Sequence, residues 1–218
     1  MAAPDLRDRL AELEVEHATL LTELEAFHAE YLRRVGVIDV QVQELQARLL
    51  AATGPRVDAD AAQRRYREST TALEAVPAPP GPPPSEDLKT LFRDAAKRMH
   101  PDLQTDPAGR GHAEAFMKQL NQAYTAGDAD AIGNLVRQWE TSPYATAAPS
   151  GAAPTPALAA AVEQAEQRLE QTRASSLATL MEQTFLASMQ GRDLLQELRW
   201  NAEEELANVR LRVATLDT

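Results

Sequence analysis

The chain has 218 residues, a formal net charge of −11 and no cysteine. No segment of it is basic overall, so its mean electrostatic field repels a phosphate backbone and argues against nucleic-acid binding. Without cysteine, disulfides and thiolate metal sites are excluded. Aromatic residues make up only 5% of the chain, while alanine, leucine and glutamate are abundant. This composition is typical of long helices rather than of one large core.

Targeting signals are not evident in the sequence. There is no run of eighteen apolar residues, which argues against a membrane-spanning helix. The first residues lack a basic stretch followed by an apolar one, so no secretory signal is expected. Together with the lack of cysteine, these features predict a cytoplasmic protein.

A heptad-like apolar repeat dominates residues 4–52. It steps by four and three residues as far as Tyr31, where an additional step of four forms a stutter. Such a stripe favours pairing over exposure to water, which predicts a coiled coil. His17 occupies one repeat position, where a polar residue more often fixes the register than binds a metal. The repeat consists of Leu6, Leu10, Leu13, His17, Leu20, Leu24, Phe27, Tyr31, Val35, Ile38, Val42, Leu45 and Leu49.

Thr53-Gly54-Pro55 ends this pattern. A second helix over residues 58–76 is expected to fold back on the first, which gives an N-terminal coiled-coil helical hairpin over residues 1–76. The apolar seam could pair with residues 58–76, with the C-terminal helix or with another copy of the chain, and we favour a homodimer.

A proline-rich run over residues 77–84 follows. It cannot be helical, because proline lacks a backbone donor and clashes with the preceding turn. We predict a semi-rigid linker here. Ser85, with Glu86 and Asp87 after it, has the features of a helix N-cap.

Two amphipathic stretches come next, with His100-Pro101-Asp102 between them. Apolar stripes that face each other across a short loop predict an antiparallel helical hairpin with this tripeptide at its tip. A third short helix is expected over residues 129–140. The apolar positions are Leu88, Leu91, Phe92, Ala95 and Met99 in the first stretch and Phe116, Leu120, Ala123 and Tyr124 in the second. The opposite surface of the first stretch carries Lys89, Arg93, Lys97 and Arg98.

With its flanking helices, this segment resembles the J domain of the DnaJ co-chaperone family. Phe92-Arg93, Ala96, Lys97-Arg98 and the tripeptide resemble that family's helix II and its tip, and the stretch from Ala113 to Tyr124 resembles its helix III. The resemblance covers about residues 85–140. It implies a non-enzymatic co-chaperone that binds a DnaK-type chaperone ATPase and stimulates its ATP hydrolysis. The residues implied to bind the ATPase are His100, Pro101, Asp102, Lys89, Arg93, Lys97 and Arg98.

The segment departs from the family pattern in three respects. The proline-rich run takes the place of helix I, Leu103 stands where a basic residue usually follows the tripeptide, and Asp94 reduces the positive charge of the first helix. We therefore expect a shortened J domain, with His100 and Asp102 exposed to the partner.

Other interpretations remain open. The tripeptide also fits an ordinary helix end followed by a proline turn, and the basic residues also fit a solvated helix face. The chain could then be a coiled-coil scaffold whose degenerate hairpin docks without stimulating an ATPase. A third interpretation is a coiled-coil regulator of a large complex in which the tripeptide is incidental.

The last part of the chain begins with an alanine- and proline-rich linker over residues 141–157. Residues 158–218 predict one long helix or coiled coil, with Gly191 as a flexible point or kink. The expected fold is all-α, with long coiled-coil helices flanking the small J-domain-like hairpin of residues 85–140. No catalytic group, cofactor site or metal site is expected.

Overall fold

The structure is a computed structural model that describes residues 5–76, 83–104, 106–145 and 156–216. Within these ranges every regular element is helical and none is a strand, which confirms the all-α class. A π-helical turn (Leu32–Gly36) follows the first helix, and a 3-10 turn (Pro101–Leu103) follows the fourth. The α-helices are α1 (Leu6–Tyr31), α2 (Val37–Thr53), α3 (Arg56–Glu74), α4 (Glu86–Met99), α5 (Pro107–Thr125), α6 (Ala129–Glu140), α7 (Pro156–Arg173), α8 (Ser176–Met189) and α9 (Leu194–Ala214).

Much of the two predicted linkers, residues 77–82 and 146–155, lies outside the described residues. Among the helices that are described, none combines the length and the apolar character needed to cross a membrane.

The helices group into two compact units. The first contains α1 up to Glu23, α4, the 3-10 turn, α5, α6 and α7. The second contains α1 from Leu24, the π-turn, α2, α3, α8 and α9. The segment over residues 85–140 therefore shares its unit with parts of the chain that precede and follow it.

The main core of the first unit lies among α1, α4, α5 and α6. The ring of Phe92 on α4 lies 4.8 Å from that of Tyr124 on α5, and both side chains are fully buried. The Tyr124 hydroxyl shares a 2.6 Å hydrogen bond with Thr19 on α1. Small residues of α1 complete this core and let its backbone approach closely; they are Ala11, Val15 and Ala18.

A second apolar cluster of the same unit joins a different side of α1 to α7. Leu10 and Leu13 are 2% and 1% exposed, and each such leucine stabilises the packing by roughly 1.5–3 kcal/mol. Their partners on α7 are Leu158, Ala161, Val162, Ala165 and Leu169. Part of the predicted seam is therefore covered by a later helix of the same chain.

Helix starts in this unit follow the local chemistry of the sequence. The Ser85 hydroxyl accepts the Leu88 N–H at 3.2 Å and caps α4, as predicted. The Asp128 carboxylate accepts the Ala131 N–H at 2.8 Å and caps α6. These caps satisfy amide groups that the first turn of a helix leaves without a partner.

The second unit is built around α2. The predicted stutter after Tyr31 coincides with the π-turn, in which one wider turn takes up an additional residue. The apolar positions continue beyond it and pack on α9, while α3 lies along α2. The core of this unit consists of Val35, Ile38, Val42, Ala202, Leu206 and Val209.

The single long helix predicted over residues 158–218 is wrong. The structure divides these residues among α7, α8 and α9. Gly191, two residues after the end of α8, has a φ of +74°, a left-handed conformation that glycine adopts without steric cost. The Asp193 carboxylate then accepts the Gln196 N–H at 3.0 Å and starts α9 anew.

Candidate functional site

The site predicted from the sequence lies where α4 ends. His100 has an extended backbone, with φ −66° and ψ 134°, because the residue before a proline avoids the helical region. Pro101 then starts the 3-10 turn. The His100 ring caps this turn, since its Nδ1 accepts the Asp102 N–H at 3.2 Å. In the neutral ring this bond places the proton on Nε2.

The exposure expected for His100 is wrong. Its side chain is buried, with only 5% of the residue exposed. Nε2 faces Glu14 of α1, with 3.5 Å between Nε2 and the carboxylate oxygen Oε1. The tripeptide therefore presents its histidine to another helix of the same unit rather than to solvent.

Glu14 is the central acidic group of this site. Arg168 of α7 donates a hydrogen bond to the same oxygen, with 2.5 Å between Nη2 and Oε1. Burial on its own would raise the pKa of Glu14, but the hydrogen bond from His100 and the positive charge of Arg168 outweigh it. The net effect is a lowered pKa, so this partly buried carboxylate stays ionised at neutral pH.

His17 extends the site along α1. Its Nε2 lies 3.0 Å from the hydroxyl oxygen of Thr172 on α7. Burial lowers the pKa of His17, and the nearby Arg168 adds to this effect while Glu14 opposes it. A neutral His17 at pH 7 is consistent with the positional role predicted for it.

Asp102 and Leu103 complete the turn. Asp102 is partly exposed, and its Oδ2 lies 3.8 Å from His100 Nδ1. Leu103 packs against the apolar cluster formed by α1 and α7. An apolar residue at this position, unusual for the family that the segment resembles, thus has a packing role here.

The four basic residues predicted to form a partner-binding face are largely engaged within the chain. Lys97 Nζ lies 2.6 Å from Asp8 Oδ1 on α1, and Arg98 Nη1 lies 2.6 Å from Glu140 Oε1 on α6. Lys89 pairs with Glu86 on its own helix at 2.8 Å. Arg93 Nε is buried and has no hydrogen-bond partner among the described residues. The four residues lie on α4 as predicted, and three of them form ion pairs with acidic side chains of the same chain.

Asp8, Glu14 and Arg168 belong to this site although the sequence did not predict them as site residues. The sequence nevertheless indicates that Glu14 is not an ordinary surface residue. On a helical wheel of α1, with 100° per residue, Glu14 lies between Ala11 and Leu10. A carboxylate flanked by apolar positions on both sides must be buried with partners.

His112, near the start of α5, lies in a cluster of aromatic side chains. Its ring is stacked on that of Trp139 at 5.6 Å, with Phe116 and Tyr144 also in contact. The described residues contain no group of three or more side chains suited to holding a metal ion.

Comparison with known proteins returned no match. This holds for the family models, for the curated proteins and for the solved structures.

Proposed function

We propose that this chain is a J-domain-type co-chaperone, which binds a DnaK-type chaperone ATPase through His100-Pro101-Asp102 and α4 and stimulates its ATP hydrolysis. The observation that carries the proposal is the position of the tripeptide at the turn between two packed amphipathic helices. In this proposal α4 and α5 form the J-like hairpin. The segment of α1 up to Glu23 packs on both helices and supplies the core contacts that a missing helix I would make.

The remaining helices have an assembly role in this proposal. The α1–α7 and α2–α9 contacts act as coiled-coil pairs within the chain that bind a client or a scaffold, and the homodimer that the sequence favours remains a prediction. The chain has no cofactor and no enzymatic activity of its own, and it acts in the cytoplasm together with the ATPase.

A second function is favoured by a specific observation. His100, Lys97 and Arg98 already have partners within the chain. This pattern supports a scaffold function. In it the tripeptide ends α4 and packs against α1, and it does not bind an ATPase.

Single-turnover ATP hydrolysis by a purified DnaK-type ATPase, with and without this chain, separates the two functions. We expect the wild-type chain to raise the rate and Asp102→Asn to abolish the increase, because asparagine keeps the shape and removes the charge. Asp94→Asn, an equal change at an exposed position of α4, is the matched control and should keep the stimulation.

His100→Gln is a less specific test than the sequence suggests. Because His100 is buried and bonded to the turn, its loss should cost about 1–2 kcal/mol of stability. Helicity must therefore be measured alongside the rate, with His28→Gln at an exposed histidine of α1 as the control. If neither the wild-type chain nor any folded variant raises the ATPase rate, the co-chaperone function is wrong and the scaffold function takes its place.

A further inference from the structure

Helix α1 covers part of the surface that the proposed function assigns to the ATPase, namely His100 and Lys97. It does so with acidic side chains, since Glu14 faces His100 and Asp8 pairs with Lys97. These contacts occupy a histidine and a lysine that would otherwise be open to an external acidic partner. Arg168 of α7 holds the Glu14 carboxylate from a third helix.

Glu14 keeps His100 covered only while the surrounding part of α1 stays packed in the unit. Ala11 and Ala18 lie on one side of it and pack into the main core of the unit. Leu10 lies on its other side and packs against α7. Because Glu14 lies between two buried faces and only 12% of its side chain is exposed, its carboxylate stays against His100 as long as this part of α1 remains packed. His100 is uncovered only when this part of α1 moves.

We propose that residues 6–23 of α1 are an internal competitor for the chaperone-binding surface, so that a DnaK-type ATPase binds His100 and Lys97 only after this segment has moved off them. The inference rests on the proposed function and adds its regulation. Two apolar clusters hold α1 in place, so the open form is a minor population. The apparent affinity for the ATPase is reduced by the fraction of the chain that is open.

Weakening the polar contacts of α1 should therefore increase stimulation. In the double variant Glu14→Gln with Asp8→Asn, the side chains keep their size but lose the charges that face His100, Arg168 and Lys97. At subsaturating concentrations of the chain we expect the rate increase over the ATPase alone to rise at least about fivefold. Glu12→Gln is the matched control, because Glu12 is exposed on the same helix, and it should leave stimulation unchanged.

Locking α1 in place should have the opposite effect. Arg9 on α1 and Glu166 on α7 form a 3.0 Å ion pair whose side chains are 42% and 49% exposed. Since the chain has no cysteine, Arg9→Cys with Glu166→Cys can be bridged selectively by a short bismaleimide. We expect the bridged chain to lose at least nine-tenths of the stimulation, while the unbridged double variant and each single variant treated with the reagent retain it.

The outcomes separate this inference from the function on which it rests. The co-chaperone function and the competition by α1 are both supported if the double charge variant stimulates the ATPase and the wild-type chain does not. They are also both supported if bridging abolishes the stimulation. Equal stimulation by the wild-type, charge-variant and bridged chains overturns the competition by α1 and leaves the co-chaperone function intact. If every form has native circular dichroism and none stimulates the ATPase, the proposed function fails, and its regulation fails with it.

Discussion

Glu14 keeps its charge at a position between two apolar faces of α1. A buried carboxylate is costly unless it is paired and hydrogen-bonded. Arg168 and His100 provide these contacts from α7 and from the end of α4. The pKa of Glu14 is lowered because the neighbouring groups favour the ionised carboxylate more strongly than burial disfavours it. At the scale of single residues, this carboxylate links three segments that are far apart in the sequence.

The pH dependence of stability should report this carboxylate. A group whose pKa is lower in the folded than in the unfolded state stabilises the fold above the unfolded pKa, about 4.3 for glutamate, and loses that effect as the pH falls through the folded pKa. We expect Glu14→Gln to lower the free energy of unfolding by roughly 1–3 kcal/mol at pH 7. The difference between wild type and variant should shrink progressively below about pH 4.3.

Urea denaturation from pH 3 to pH 7 measures this difference, with Glu12→Gln as the exposed control. A difference that stays constant down to pH 3 would mean that Glu14 has no lowered pKa in the folded chain.

Helix boundaries in this chain follow two kinds of signal. Some depend on side chains within a few residues, as where Ser85 caps α4 and Asp128 caps α6. Others depend on the backbone alone, as at Gly191, which stands in a stretch whose apolar spacing favours one continuous helix. At the scale of elements, the helix is interrupted here despite the apolar spacing, because Gly191 adopts a left-handed conformation and Asp193 caps a new helix.

Substitution of Gly191 distinguishes a helix break from a helix interior. Within a helix, alanine in place of glycine stabilises by about 1 kcal/mol. At a φ of +74° it should instead destabilise by about 1 kcal/mol, because Cβ then meets the backbone. Gly111→Ala is the opposite control, since Gly111 lies inside α5 and, among the described residues, no atom outside its own stretch of helix backbone is within 4 Å of an added Cβ.

Thermal melts of both variants measure the sign of each effect. A higher midpoint for Gly191→Ala would support the continuous helix and contradict the break between α8 and α9.

At the scale of the whole molecule, local patterns in the sequence predicted most helices but not their partners. The helical content, the end of α4 at His100-Pro101 and the short helix α6 depend on periodicity and on chemistry close in sequence, and all three were predicted. The partner of Leu10 and Leu13 was left open among residues 58–76, the C-terminal helix and a second copy, because an apolar stripe fits any other stripe. Burial of His100 could not be predicted for the same reason, since it depends on where α1 packs.

The partner of the α1 seam can be tested through Leu13, which is 1% exposed and packs in the cluster that α1 forms with α7. Leu13→Ala should lower the free energy of unfolding by about 2–5 kcal/mol, since a buried leucine leaves a cavity. Leu21→Ala, at a 42% exposed leucine of the same helix, should change it by less than about 0.5 kcal/mol. Because α7 of the same chain covers Leu13, we expect the difference in unfolding midpoint between the wild-type chain and Leu13→Ala to be independent of protein concentration. A difference that rises with concentration, together with a doubled mass in light scattering that Leu13→Ala reduces, would instead place this seam in a homodimer.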